Sequence, residues 1–437
     1  MTNQKSYKQR TYLDPIHGPI RLNLNDQTDS LLANIIDTKE FQRLRRIRQM
    51  GLGCFTFHGA EHTRFGHSLG TLFIAKKMIA HLANSFTEIN SAKNKLLVSA
   101  LIHDIGHGPF SHTSEKLINQ SHEFWTKKII LGNSEINSLL KSHESTLPSE
   151  ITKLLGHNTE ALYQSQIISS YVDCDRLDYL HRDSYYVGVP YGLTGSDRII
   201  FSLDIDSESK KLVIKESSGL DAVIHYLQAR YSMYQQVYQH KKNLACDFLL
   251  KKIIERAKET KPKNAPKAFS DWLNYDTTKD TEIDSYLQID DFLLLSYIYN
   301  FSCDITCDKI LSDLSSRFFL RKLFKSLEFR QEITQNKISE ILEKIALIAK
   351  NKGLDSNYYF GLEQSASKPY EPYQSIDCKN GKAIFIKQQN GVIKELSQVS
   401  GLVKALSLEN IVKTCLIFAP ELEDEIINIA GFEELFK

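Results

Sequence analysis

From Ser68 to Leu82 the apolar residues Leu69, Leu72, Phe73, Ala75, Ile79 and Leu82 recur at helical spacing with polar residues between them. That period predicts a helix buried on one side. A second helix is predicted from about Lys93 to Asp104, with Leu96, Leu97, Ala100 and Leu101 facing a core. Gly106 and Gly108-Pro109 end it in a tight turn. Asp37 or Thr38 ahead of Glu40 reads as a capped helix start, and another helix is expected from about Gln166 to Asp183. After position 200 glycine and proline are few and the 3.6-residue period persists over long stretches. Strand-like alternation is confined to short runs such as Lys211–Lys215 and Ala383–Lys387. The Tyr/Ser/Pro-rich stretch between Asn351 and Asp377 has little periodicity and reads as a linker. The expected architecture is mainly α: a helical core with a few short β-strands over 1–270, a helical extension over 271–350, the linker over 351–377, and a small mixed α/β region over 378–437.

Composition narrows the class of protein. A chain of 437 residues with 42% hydrophobic content can bury a sizeable core and smaller appendages. Its net charge of +1 gives no general attraction to nucleic acid or membranes. The first residues are polar, and no run approaches the roughly 20 apolar residues that span a bilayer, so a cytoplasmic protein without membrane association is expected. Seven scattered cysteines (Cys54, Cys174, Cys246, Cys303, Cys307, Cys378 and Cys415) form no CxxC pair and suit reduced thiols better than a disulfide framework.

The chemistry concentrates where the second helix ends. His103 and Asp104 are adjacent, so one turn offers an imidazole and a carboxylate. With His67 upstream and Asp175 downstream they make two nitrogen and two oxygen donors, a set that suits Fe, Mn, Zn or Ni and leaves positions open for water and a phosphate oxygen. Beyond the turn lie His107, His112, Glu115 and His122. If Ser111 begins a helix, His112 and Glu115 share a face, and the carboxylate can orient the imidazole for acid–base work. His122 can extend that relay, and His107 can hold a phosphate oxygen. Asp175, Tyr179 and Asp183 are spaced i, i+4, i+8 and fall along one face of a helix.

The segments His62–Gly70, His103–His112 and Asp173–Asp183 resemble the HD-domain metal-dependent phosphohydrolases, and within them the deoxynucleoside triphosphate triphosphohydrolases. Tyr12–Gly18, Phe41–Arg45 and Tyr238–Lys241 extend the likeness, which spans about residues 10 to 260. The resemblance implies an HD-domain core, metal ligation by His67, His103, Asp104 and Asp175, and catalysis by His112 with Glu115, assisted by His107 and His122. It implies phosphate contacts from Arg64, Arg176 and Arg230, and sugar contacts from Gln49 and Asp183. Tyr179 and Tyr238 would pack on the sugar and exclude a ribose 2′-hydroxyl, while Tyr234 and Gln239 would lie beside them. Two of these positions depart from a mammalian member of the family, which has a lysine in place of Arg176 and a histidine in place of Tyr234. That member also carries a sterile-alpha-motif domain, which is not expected ahead of the core here. Asp37, Gln42 and Arg45 match positions that bind an activating guanine nucleotide.

The expected reaction is therefore metal-dependent hydrolysis of a dNTP to a deoxynucleoside and inorganic triphosphate. Water activated by one divalent ion would attack the α-phosphorus, His112 would protonate the departing 5′-oxygen, and Mg can accompany the substrate. The expected partners are the dNTP, an activating nucleotide and further copies of the chain in a dimer or tetramer. The alternatives are an HD phosphohydrolase acting on a nucleoside monophosphate, cyclic nucleotide or guanosine polyphosphate, and a nucleotide-sensing or nucleic-acid-binding module. Three arginines and a sugar-excluding tyrosine favour the dNTP.

Overall fold

The computed structural model describes residues 8–156, 162–262, 267–275, 283–330, 332–371, 383–409, 411–429 and 431–437. It is 60% helical, with a few short strands in small sheets. Helix Arg64–Leu82 packs against helices Ile89–Ile102 and Cys174–Val187, and these three with the turn after Ile102 carry the candidate metal ligands. Leu69, Leu72, Ala75, Leu96, Leu97, Leu101, Leu177 and Leu180 lie in one shared core. Among the described residues, no helix is long and apolar enough to cross a membrane.

Several expectations shift at their boundaries. The helix expected from Ser68 begins at Arg64, and the one expected over Lys93–Asp104 runs Ile89–Ile102 with His103 as its C-cap. The stretch expected as one helix over Gln166–Asp183 is two, Leu162–Ile168 and Cys174–Val187. Asp173 makes the break: its carboxylate accepts the backbone N–H of Ser170 and of Arg176, each at 2.6 Å. It thereby caps the second helix and bends the chain ahead of it.

The C-terminal organisation is corrected more deeply. Inside the expected 351–377 linker, Phe360–Ser367 is a strand paired antiparallel with Ile411–Phe418 along its whole length. Ile411–Phe418 also pairs with Lys325–Glu328 from the expected helical extension. Phe385–Lys387 and Ile393–Glu395 instead join the sheet of Leu203–Ile205 and Leu212–Lys215, with Ile214 beside Ile386 in parallel register. The 378–437 region is therefore shared between two sheets, and one of them belongs to the core. Residues 372–382, including Cys378, lie outside the described residues.

The extension is equally continuous with the core. Helices Asp291–Cys303 and Lys309–Phe319 pack with helix Lys241–Thr260 in a second hydrophobic cluster, which also takes in Leu52, Phe110 and Trp125. Phe110 belongs to the turn after His103-Asp104, so the extension reaches the loop that bears the candidate chemistry.

Candidate active site

His67 lies one turn inside helix Arg64–Leu82, and His103 and Asp104 follow the end of helix Ile89–Ile102. Asp175 stands in the first turn of helix Cys174–Val187. His67 Nε2 lies 3.1 Å from Asp175 Oδ1 and 3.6 Å from Asp104 Oδ2, and His103 Nε2 lies 3.3 Å from Asp104 Oδ1 and 3.6 Å from Asp175 Oδ1. The other nitrogen of each ring is committed elsewhere. His67 Nδ1 donates to Asp178 Oδ2 at 2.8 Å, and His103 Nδ1 to the Ala100 carbonyl at 2.9 Å. Both Nε2 atoms are thus turned to the carboxylates, buried and without hydrogen-bond partners. A divalent cation would satisfy both nitrogens and the carboxylate oxygens together, and the mixed nitrogen–oxygen set fits a mid-row transition metal or zinc.

The carboxylates dominate the electrostatics of the site, and a cation at His67 Nε2 would take the place of the proton they favour there. Burial opposes charge on His67, but Asp175 and Asp178 outweigh it and raise the imidazole to about 10. Burial likewise opposes ionisation of Asp104 and Asp175. Arg64 with His103 overcomes it at Asp104, and His103 with His67 does so at Asp175, so both stay anionic. Such carboxylates are ready ligands.

Asp178 is the hub behind the site. Besides His67 it accepts from His17 Nε2 at 2.6 Å and from Arg182 Nε at 2.8 Å and Nη2 at 2.9 Å. Arg182 Nη1 in turn donates to Asp14 at 2.8 Å. Gly70 lets this network lie close against helix Arg64–Leu82, because a Cβ there would overlap the Asp178 carboxylate and the Arg182 guanidinium.

A second constellation adjoins the first. Glu115 Oε1 lies 3.1 Å from His112 Nδ1, 2.6 Å from His122 Nδ1 and 3.6 Å from His107 Nδ1. The His107 ring stacks on His122 with centroids 3.9 Å apart, and His107 Nε2 lies 3.5 Å from Asp104 Oδ1, which links the two clusters. Burial resists charge on Glu115, but His112 and His122 hold it ionised well below its ordinary range. Burial, Arg64 and His122 keep His107 neutral. His122 is raised, because Glu115 outweighs the effect of burial.

Both clusters open on one cavity of about 780 Å³, within the size range of small-molecule sites. Gln49, Arg64, Arg176, Tyr179, Asp183, Tyr234 and Tyr238 line it together with His103, Asp104, His107, His112, His122 and Asp175. At one end Tyr238 Oη donates to Asp183 Oδ2 at 2.8 Å and His62 Nε2 meets Asp183 Oδ1 at 2.7 Å. The Tyr179 and Tyr238 rings meet edge to face, 6.2 Å apart.

The family model for the HD domain matches residues 64–183, which contain all four candidate ligands. The chain is 36% identical to the uncharacterised protein YwfO of Bacillus subtilis over 411 residues, covering 93% of this chain and 91% of that one. It is 26% identical over 264 residues to the human deoxynucleoside triphosphate triphosphohydrolase SAMHD1, covering 52% of this chain and 41% of that protein. The crystal structure of a phosphohydrolase from Bacteroides thetaiotaomicron superposes with a TM-score of 0.80 at 28% identity, over 94% of this chain and all of that one. The chain belongs to the HD-domain family, in its dNTPase-like group. As an HD phosphohydrolase it is a metal-dependent enzyme, and its His/Asp clusters are of the kind that hold a divalent ion.

Not every expected contact reaches the HD cavity. Arg230 does not line it; its guanidinium lies over Tyr234 and Tyr171, and Nη1 donates to the Pro369 carbonyl. Segment 368–370 folds back onto that face, a long-range contact that helical periodicity does not encode. Gln239 is also buried away from the lining, and its carbonyl accepts from Lys413 at 3.3 Å. The cause is a widened turn in which Gln239 N–H reaches back five residues to Tyr234 O at 3.0 Å, keeping Tyr234 and Tyr238 on the cavity and turning Gln239 away. Arg64 and Arg176 line the cavity but are ion-paired, with Asp104 and Asp173 respectively.

The expected regulatory residues lie apart from the cavity. Asp37 pairs with Arg10 at 2.8 Å. Gln42 Oε1 accepts from Arg45 Nε at 2.9 Å, and the Arg45 guanidinium lies 3.5 Å over the Phe65 ring.

Asp178, Arg182, Asp14, His17 and His62 were missing from the expected site. Asp178 stands three residues after Asp175 and four before Arg182, a spacing that puts it on the inner side of the same helix. That pattern was readable, whereas the pairing with His67 on another helix was not.

Proposed function

We propose that this HD enzyme hydrolyses a deoxynucleoside triphosphate to deoxynucleoside and inorganic triphosphate, with activation by a second nucleotide and assembly into a homo-oligomer. The reading is carried by the Tyr238–Asp183 hydrogen bond beside Tyr179, in the same cavity as the His/Asp cluster. A carboxylate already engaged by a tyrosine and a histidine suits a sugar 3′-hydroxyl, and Tyr179 and Tyr238 beside it would pack on the sugar where a 2′-hydroxyl would project. Similarity to the human deoxynucleoside triphosphate triphosphohydrolase supports the same substrate class.

When bound, a divalent ion (Fe, Mn, Zn or Ni) supplies Lewis-acid activation of water and charge stabilisation at phosphorus. His67, His103, Asp104 and Asp175 would hold it. Arg64 and Arg176 bring guanidinium groups to the cavity wall, and the buried Arg176 Nε has no partner. Phosphate oxygens are natural acceptors for such donors. Glu115 holds the His112 ring at 3.1 Å and orients it as the acid for the departing 5′-oxygen. Neutral His107, stacked on His122 and close to Asp104, can donate a ring N–H to a phosphate oxygen without adding charge.

The test is to incubate the protein with each dNTP, NTP and nucleoside monophosphate plus Mn, Mg or Fe, with and without a second nucleotide, and to separate the products. Triphosphate release from a dNTP, slower from the matching NTP and absent in Asp104→Ala, is expected. Turnover confined to monophosphates or cyclic nucleotides would overturn the substrate assignment.

A further inference from the structure

His112 is delivered to the cavity by an unusual stretch of backbone. Phe110 has φ of 55° and Ser111 φ of 54°, and neither is glycine. Such conformations are sparsely populated for residues with a Cβ, so two in succession persist only where the surroundings hold them. Within residues 64–183, Arg64 Nε donates to Ser111 Oγ at 3.0 Å and Ser111 N–H to the Gly108 carbonyl at 3.0 Å, and further contacts come from outside that segment. The Phe110 ring is fully buried in the second hydrophobic cluster, among residues of the extension. Its N–H donates to Asp291 Oδ1 at 2.7 Å, and Asp291 Oδ2 accepts the Arg48 N–H at 2.9 Å. Arg48 in turn supplies the carbonyl that takes the Ser111 hydroxyl at 2.7 Å.

Asp291 is not needed to cap its own helix. Asp290 does that, accepting the Leu293 N–H at 3.0 Å, which leaves the Asp291 carboxylate, 2% exposed, turned to the loop. Two neighbours grip the loop further back. Tyr286 Oη donates to the Gly106 carbonyl at 2.7 Å, and Arg43 joins the His107 carbonyl at 2.7 Å to the Ile289 carbonyl. None of Asp291, Tyr286 and Arg43 lines the cavity.

We propose that Asp291 is a positioning residue for His112, its carboxylate clamping the strained Phe110–Ser111 turn so that the imidazole is presented to the cavity and to Glu115. This rests on the phosphohydrolase reading of His112 and adds to it a part of the chain outside the matched HD segment. The extension acts through backbone groups of the loop and touches no substrate.

The experiment compares wild type with Asp291→Ala, Asp291→Asn and Tyr286→Phe by steady-state hydrolysis of the dNTP turned over best, bound metal per chain, and hydrogen exchange of the 104–118 segment. In Asp291→Ala, kcat is expected to fall roughly 10-fold or more while KM stays within about 2-fold, the metal content is unchanged, and exchange at 110–112 accelerates. Asp291→Asn, which keeps one acceptor, restores part of kcat, and Tyr286→Phe quickens exchange nearer Gly106. Unchanged kcat and exchange in folded Asp291→Ala would overturn the proposal, as would equal losses in the Ala and Asn variants or a fall accompanied by metal loss. If Asp291→Ala does not fold, the Asn and Phe variants decide it by the same readouts. If wild type hydrolyses no phosphoester, the functional reading fails and the exchange measurement still judges the clamp.

Discussion

Replacing Asp178 by asparagine keeps the side-chain shape while removing the charge behind the candidate metal site. Asp178 is fully buried and meets four donors: His67 Nδ1, His17 Nε2 and the Nε and Nη2 of Arg182. Asparagine has one acceptor oxygen and an NH₂ that faces donors, so at least one of the His67 and Arg182 contacts is lost. Losing the carboxylate behind a ligand histidine lowers metal affinity by about 10–100-fold, equivalent to about 1.4–2.7 kcal/mol. Folding stability falls by about 1.5–3 kcal/mol, the range for a lost hydrogen bond to a charged group. That is below the roughly 3–5 kcal/mol for a buried pair broken outright, because Asp14 remains on Arg182 Nη1 at 2.8 Å. Competition against a chelator of known affinity reads the metal term, and urea unfolding of the metal-free protein reads the stability term. Metal affinity within about 2-fold of wild type in a folded Asp178→Asn protein would refute the assignment of Asp178 as the orienting partner of His67.

Glu115→Gln probes the second cluster through pH. His122 sits above its ordinary 6.5 because Glu115 outweighs burial, so its contribution is full below that value and fades as pH rises through the raised one. Glu115 is depressed below its ordinary 4.5, so its contribution is present above that value and is lost as pH falls through the depressed one. The stability difference between wild type and Glu115→Gln, measured by urea denaturation, should therefore shrink as pH rises above the ordinary histidine value of 6.5; a constant difference contradicts the pairing. Tyr238→Phe removes the donor to Asp183 and should cut kcat/KM for a dNTP roughly 10-fold, the scale of a lost hydrogen bond to a charged group. It should also narrow the preference over the matching NTP, and steady-state kinetics on the pair that showed no change in either value would remove Tyr238 from the sugar site.

Local signals carried much of this molecule. His103-Asp104 at the end of an apolar helix, with Gly106 and Gly108-Pro109 beyond, announces a turn, and the structure builds that turn. The i, i+4, i+8 spacing of Asp175, Tyr179 and Asp183 likewise survives as a single lining face. These patterns are legible because helical periodicity acts within a few residues of the chain. The expectation failed where a distant segment decided the outcome. Arg230 was read as a phosphate contact, yet Pro369 takes its guanidinium. The low periodicity of 351–377 suggested a linker, yet Phe360–Ser367 finds a complete partner strand some 50 residues later. Sheet register depends on which strand is opposite, and no local pattern names that strand.

Residue types and their order along the chain were sufficient for the helical class and for the approach of Glu115 to His112, because each depends on neighbours one or two turns away. Tertiary packing decided the rest. It set His17, Asp178 and Arg182 behind His67, folded the C-terminal strands into two sheets, and brought Asp291 against the Phe110–Ser111 turn. A buried charge or a strained turn survives only where partners from remote segments close around it, and only the folded chain supplies those partners.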